Sequence, residues 1–428
     1  MSRRPIFAPL PPGARDLLPG VLRRQRMLQE RLLGVFEAWG YAPVATPAVE
    51  YFEVFGRGLA EAERQRCLRF IAPGSGDVVA LRSDVTPQIA RLVGQRLRGR
   101  LDDGEVIRLA YAADVIRTPE SVDEPAEEHQ VGVELIGDGS AAADAELVAL
   151  GHAALRAVGI GGAVLDLAHV GVARSVLDEL ELEGALRASV VTRLARKDLS
   201  GIEELLAGAG VSLAGRAVVR SLACLHGSLS VVERARGLLG AESQRSLDEL
   251  AAVVECLRVV HPEILDSLSI DLGEVRGHDY YSGLRLRGWA PGAPRPIIRG
   301  GRYDGLLSRY GVDAPATGLV IGLDDVERLV ERSGPEPDLV AALVVAVAPG
   351  SSSATRGVAE REAARARAQG RRAWVEPHLD RGAAEAVADR VGAADIITIS
   401  ETASSPRVQR WRRSESGWEH LAEQEGKS

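Results

Sequence analysis

Lysine is almost missing from this sequence. Lys197 and Lys427 are the only two, and arginine carries the rest of the positive charge. Nor is there a basic excess: 52 Lys and Arg stand against 60 Asp and Glu, for a formal net charge of −8. A chain that wraps a nucleic acid shows a basic excess, at least locally, so no nucleic-acid partner is expected. Cysteine is scarce as well. Cys67, Cys224 and Cys256 stand far apart without CxxC spacing, which argues against a disulfide frame and a zinc site. No metal ligand set is predicted. No apolar run reaches the roughly 20 residues of a membrane span, and the opening MSRRPIFAPLPPG lacks the apolar stretch of a signal peptide. A cytoplasmic chain with no membrane partner is the expectation.

What remains is the composition of an ordinary folded protein, 46% hydrophobic and 26% charged. At 428 residues two or three domains are expected. After the turn-rich PPGARDLLPG, the stretch VLRRQRMLQERLLGVFEAWG has apolar residues at helical spacing and stops at Gly40. RCLRFIAP and DVVALRS alternate like a hairpin, and DVTPQIARLVGQRL reads as a helix. Strands are predicted at EVIRLAYAADVI, HQVGVELIG, LSIDLGEV, YYSGLRLRGWA and PIIRGG, which argues for a mainly antiparallel sheet with helices packed on it. Residues 172–262 are Leu- and Ala-rich with helical period and read as an insertion. The Pro-rich SGPEPD marks a boundary near 333. Beyond it LVAALVVAVA, RRAWVEP and ADIITIS alternate with helices, as in a small parallel α/β domain covering 333–428.

Polar residues gather at strand ends. LRSDVTPQIAR carries Arg82, Asp84, Val85 and Thr86. In HQVGVE the period of two puts Gln130, Gly132 and Glu134 on one face and Val131 and Val133 on the other. VRGHDYYSG carries Arg276, Tyr280 and Tyr281, and GGRYDGL adds a glycine-bearing turn. Taken singly each is ordinary: a carboxylate–arginine pair, a Tyr-Tyr in a strand, and surface histidines at His129 and His278. Between Arg117 and the HQVGVE strand lies a carboxylate-rich segment with Glu120, Asp123, Glu124, Glu127 and Glu128, read as a solvated surface loop.

Together these motifs resemble the class II aminoacyl-tRNA synthetases, in particular the histidyl-tRNA synthetase branch, over residues 1–332. YAPVATPAVE is similar to the dimer-forming first motif, with Pro47 at the motif proline, and RGHDYYSG and GGRYDGL resemble the two histidine signatures. The resemblance implies an α+β fold, an antiparallel sheet core with a helical insertion followed by a small α/β domain like an anticodon-binding domain. It also implies a histidine pocket. Asp84, Gln130 and Glu134 would meet the ammonium group, Arg117 and Arg276 the carboxylate, and Tyr280 and Tyr281 the imidazole, with Val85 and Thr86 also among the histidine-binding residues.

The ATP machinery departs from that pattern. Pro119 stands where the second motif has a glutamate, carboxylates replace the arginines of its loop, and Asp325 stands where the third motif has an arginine. An arginine-to-aspartate exchange about 4 Å from a phosphate turns an attraction of roughly 4 kcal/mol into a repulsion of similar size. RSDVTPQIAR and LDLAHVGVARSVL resemble a paralogous family, the regulatory subunits of ATP phosphoribosyltransferase. That resemblance implies a subunit without catalytic residues or cofactor. It would activate a short-form catalytic subunit, self-associate as a homodimer within a hetero-octamer, and respond to L-histidine as effector in the first step of histidine biosynthesis. The alternative is a divergent histidyl-tRNA synthetase. Against a tRNA partner, ARARAQGRR is read as the only basic run of the C-terminal region, without the interleaved stacking aromatics that single-strand recognition would favour.

Overall fold

The computed structural model describes residues 10–120, 124–275, 281–333, 342–403, 405–414 and 416–425. The chain divides into two units, Met1–Gly334 and Pro335–Ser428. Of the Pro-rich boundary SGPEPD, only Ser333 is among the described residues.

The first unit opens with the helix Pro19–Ala38. Proline suits its first turn, where backbone N–H groups have no helical acceptor. Leu28, Leu32 and Phe36, four residues apart, lie on one face and are fully buried. Four short strands follow in the first quarter of the chain: β1 (Ala42–Pro43), β2 (Val49–Tyr51), β3 (Arg69–Ile71) and β4 (Val78–Leu81). Then come β5 (Ile107–Ile116), β6 (Glu127–Ile136), β7 (Val164–His169) and β8 (His226–Gly227). The unit is completed by β9 (Leu268–Asp271), β10 (Leu284–Trp289), β11 (Ile298–Arg302) and β12 (Ala316–Gly322).

Nine of these strands form one sheet in the order β1-β5-β6-β12-β11-β10-β7-β9-β8. It is antiparallel except at β1–β5 and β7–β9. Val131, Val133 and Leu135 of β6 join the core with the first helix. The alternate residues of β6, including Gln130, Gly132 and Glu134, therefore point to the opposite face. A helix that the sequence analysis does not anticipate, Ala141–Ala157, also packs in this core. Its run of small residues conceals the helical period, although Ser140 caps it by accepting a bond from the Ala143 N–H.

The predicted hairpin is β3–β4, which pairs further with β2 in a separate three-stranded sheet. That sheet exposes apolar residues: Tyr51 is 56% exposed and Ile71 70%. The insertion contains six helices from Val170 to Val260, with β8 among them. Asp198 and Ser212 cap two of them through the N–H groups of Gly201 and Gly215.

In the second unit the strands are β13 (Ala342–Val347), β14 (Arg372–Pro377), β15 (Ala393–Glu401), β16 (Pro406–Ser414) and β17 (Gly417–Glu425). They form a mixed sheet, β14-β13-β15-β16-β17, not the purely parallel one expected. The first three strands are parallel, and β16–β17 is an antiparallel hairpin. The polar stretches RVQRWRRS and GWEHLAEQE hide that hairpin from a hydrophobic pattern. Along β13, Leu343, Val345 and Val347 face the helix Ser353–Ala368, while Ala342, Val344 and Ala346 face the helix Arg381–Val391. The β16 stretch RVQRWRRS corrects the reading that ARARAQGRR is the only basic run and that no aromatics are interleaved, since Trp411 stands among Arg410, Arg412 and Arg413. Arg381 lies 3.8 Å from the Trp411 ring centre and Arg413 lies 6.0 Å from that of Trp418. These tryptophans pack against the core, and the arginines pair with Glu385 and Asp389.

Truncating a core anchor should show in unfolding. Phe36→Ala is expected to cost about 3–5 kcal/mol in urea denaturation, whereas Leu213→Ala, at a site 77% exposed, should stay within about 0.5 kcal/mol.

Candidate ligand-binding site

On the sheet face opposite the first helix lies a cavity of about 270 Å³. Tyr111 enters it from β5, Gln130 and Glu134 from β6, and Gly318 and Val320 from β12. Arg299 comes from β11 and Arg285 from β10, while Asp84 and Thr86 come from the start of the helix Thr86–Leu92. Leu59, Glu63, Arg66, Ser83, Arg117, Tyr281, Gly300, Tyr303 and Leu319 complete the wall.

One side of the cavity is acidic. Glu134, 2% exposed, accepts hydrogen bonds from the Thr86 hydroxyl (2.7 Å) and the Tyr303 hydroxyl. Burial outweighs both bonds and pushes its carboxyl up to about 8. Burial likewise holds the Tyr111 phenol well above its ordinary range. Asp84 accepts from the Thr86 backbone N–H at 3.0 Å, a turn that fixes its carboxylate at the cavity edge. Two glycines make this corner possible. A Cβ on Gly318 would sit 1.8 Å from Glu134 Oε2, and one on Gly132 2.5 Å from the Tyr111 oxygen.

The other side is basic, but its charges are mostly answered. Arg299 donates from Nη2 to both oxygens of Glu128, at 2.8 and 3.0 Å. Arg117 Nη1 lies 3.6 Å from the same carboxylate, and Arg117 Nε donates to the Ser83 carbonyl at 2.7 Å. Burial would raise the Glu128 carboxyl, but Arg299 and then Arg117 bring it down to about 2. Arg285 stacks 4.0 Å from the Tyr281 ring centre and donates to the Gly300 carbonyl at 3.0 Å. Its Nε has no partner among the described residues.

These contacts correct the reading of the acidic segment as a solvated loop for Glu128, while Glu120 and Glu127 are exposed as expected. Glu127 and Glu128 belong to β6, and Glu128 is only 6% exposed. Glu124 pairs with Arg66, and Glu120 lies 3.3 Å from it. Asp123 lies outside the described residues. The role given to Asp325 changes as well. It is 4% exposed and paired with Arg295 and Arg328, each at 2.7 Å, so it presents no open negative charge to a phosphate.

The structure brings Asp84, Thr86, Arg117, Gln130, Glu134 and Tyr281 into one cavity. Val85 does not line it: its side chain is fully buried among Ile89, Leu109 and Tyr111. Arg82 is also elsewhere, donating to the carbonyls of Thr46 and Asp114, each at 2.9 Å. His129 binds Asp114 and Gln29 outside the cavity. Arg276, His278 and Tyr280 lie outside the described residues. The sequence analysis passes over Tyr111, Arg285, Arg299 and the partner role of Glu128. Arg285 and Arg299 were visible as arginines inside predicted strands, a place where charge calls for a partner.

A family model described as histidyl-tRNA synthetase matches residues 13–326. The ATP phosphoribosyltransferase regulatory subunit of Geobacter sulfurreducens is 37% identical over 321 residues, 74% of this chain and 72% of that one. That of Desulfitobacterium hafniense is 35% identical over 404 residues, 93% of this chain and all of its own length. The chain belongs to the family of ATP phosphoribosyltransferase regulatory subunits. Within it, a Bacillus halodurans crystal structure described as an ATP phosphoribosyltransferase regulatory subunit/histidyl-tRNA synthetase superposes with a TM-score of 0.78. It is 28% identical and covers 94% of this chain and 100% of that one. Histidyl-tRNA synthetase from Nostoc, 20% identical with a TM-score of 0.77 over 98% of this chain and 97% of that one, shares the fold. The class II synthetase-like fold expected from the motifs is thereby established.

Gly318→Ala should push Glu134 out of place. The expected outcome is a loss of about 1–3 kcal/mol in thermal unfolding, typical of overpacking.

Proposed function

We propose that this chain is a non-catalytic, histidine-responsive subunit of ATP phosphoribosyltransferase. It activates a short-form catalytic subunit and confers feedback inhibition by L-histidine on the first step of histidine biosynthesis. The observation that carries this reading is a small cavity with an acidic and a basic side, whose arginines are largely occupied by the protein's own carboxylates. At about 270 Å³ it lies below the roughly 300–1,000 Å³ of sites for larger ligands. An amino acid suits it: Asp84 and Glu134 for the ammonium, Arg285 for the carboxylate, and Tyr281 and Tyr111 for the ring.

No cofactor is invoked, and no metal-holding cluster occurs among the described residues. Positioned phosphate donors are what adenylate chemistry requires, and here Glu128 and Asp325 engage the nearby arginines. The apolar residues exposed on the β2-β4-β3 sheet support self-association as a homodimer within a hetero-octamer. A cytoplasmic location fits the three free cysteines, and no helix among the described residues is long and apolar enough to cross a membrane.

The runner-up reading, a divergent histidyl-tRNA synthetase, draws on the described family model and the retained C-terminal unit. Histidine-dependent ATP–pyrophosphate exchange by the purified chain separates the two: background rates are expected, and sustained turnover would make the chain a ligase. Mixed with a short catalytic subunit, the chain should raise its phosphoribosyltransferase activity, and L-histidine should reverse the gain. Arg285→Ala, which loses a charge-assisted contact, and Tyr281→Ala, which loses an aromatic wall, should each raise the inhibitory histidine concentration by about tenfold, with assembly intact by size-exclusion chromatography. Unchanged inhibition in both variants would place the effector elsewhere.

The proton on Glu134 predicts a pH dependence. A bound ammonium favours the carboxylate form, so binding must displace a proton held up to about pH 8. Histidine affinity should therefore rise between about pH 6.5 and 8, by at most tenfold per unit. The slope attributable to this group should vanish in Glu134→Gln when calorimetric titrations of the two proteins are compared.

A further inference from the structure

We propose that Glu128 sets the anion selectivity of the cavity: it is a built-in counter-anion for Arg299 and Arg117, so the site admits a ligand with one carboxylate and rejects multiply charged phosphate esters. This rests on the amino-acid reading of the cavity for the identity of the ligand, but not for the action of Glu128.

The placement comes from the sheet. Glu128, Gln130 and Glu134 share the parity of β6, so all three project to the cavity face. Arg299 stands on β11, and its side chain reaches across the intervening β12 to both Glu128 oxygens. Gln130 Nε2 donates to Glu128 Oε2 at 2.8 Å, and Arg117 approaches from the segment just after β5. The carboxylate is thus held by three side chains on a rigid frame, whereas Arg299 and Arg117 keep 27% and 29% of their side chains exposed. An arriving phosphate ester meets guanidinium groups whose forks are engaged, and beside them a fixed negative charge. A ligand with a single carboxylate needs only Arg285, which lines the cavity and whose hydrogen bond among the described residues goes to the neutral Gly300 carbonyl. Asp325 ties up Arg295 and Arg328 in the same manner.

The test titrates inorganic pyrophosphate into the full-length wild type and Glu128→Gln by calorimetry, at low and at high salt. Glutamine keeps the shape and removes the charge. Pyrophosphate should bind the variant at least about tenfold more tightly than the wild type, with the gain shrinking at high salt. Adding Arg299→Gln to Glu128→Gln should abolish the gain. A natively melting Glu128→Gln protein with no gain would overturn the proposal, as would a gain that persists without Arg299. Should Glu128→Gln fail to fold, Glu128→Asp, one methylene too short to hold both donors, is expected to give a smaller gain, and no gain there overturns the proposal equally. L-Histidine titrated into the wild type tests the underlying reading separately: no binding would remove the amino-acid assignment and leave a pyrophosphate gain in the variant intact.

Discussion

An ionised side chain buried in a sheet costs several kcal/mol unless a counter-charge and hydrogen bonds meet it, and this sheet buries a good many. Glu128 is met by Arg299 and Arg117, and Arg302 on β11 by Asp144 at 2.9 Å. Asp324 is met by Arg15, by Gln25 at 2.6 Å and by the His129 N–H at 3.1 Å. Arg24 reaches Glu327 at 2.8 Å, and Arg287 pairs with Glu274. Most of these pairs join residues far apart in sequence. They tie the opening segment, the first helix and the last helix of the first unit to the sheet.

This constraint also shapes the cavity. A site that kept its arginines open would attract polyanions; one whose arginines are paired from within is selective by default. The acidic side shows the reverse case. Glu134 has hydroxyl donors but no cation within bonding distance among the described residues, and burial raises its carboxyl to about 8. On the function proposed above, the cavity offers one side to a cation and the other to a single anion, the charge pattern of a zwitterion.

Much of this was legible in the residues. The parity of HQVGVE placed Gln130 and Glu134 on one face, and the leucine spacing of the first helix placed Leu28, Leu32 and Phe36 on the core. Asp84 and Thr86 were legible because a turn before a helix offers its polar groups to whatever lies ahead. The Ala141–Ala157 helix and the β16–β17 hairpin were not, since small residues in the one and charged residues in the other erase the apolar period. Glu128 was misread for a different reason. It closes a carboxylate-rich stretch, and a charge run looks solvated until the partner strand is known.

The sequence by itself determined the periodic elements, the motifs and hence the family, because period and turn chemistry are local properties of consecutive residues. Only the tertiary structure decided which charges are open and which are spent. Arg299 and Glu128 stand 171 positions apart and meet across β12. Charge neutralisation acts through space over a few ångströms, and that distance exists only once the strands have been put in order.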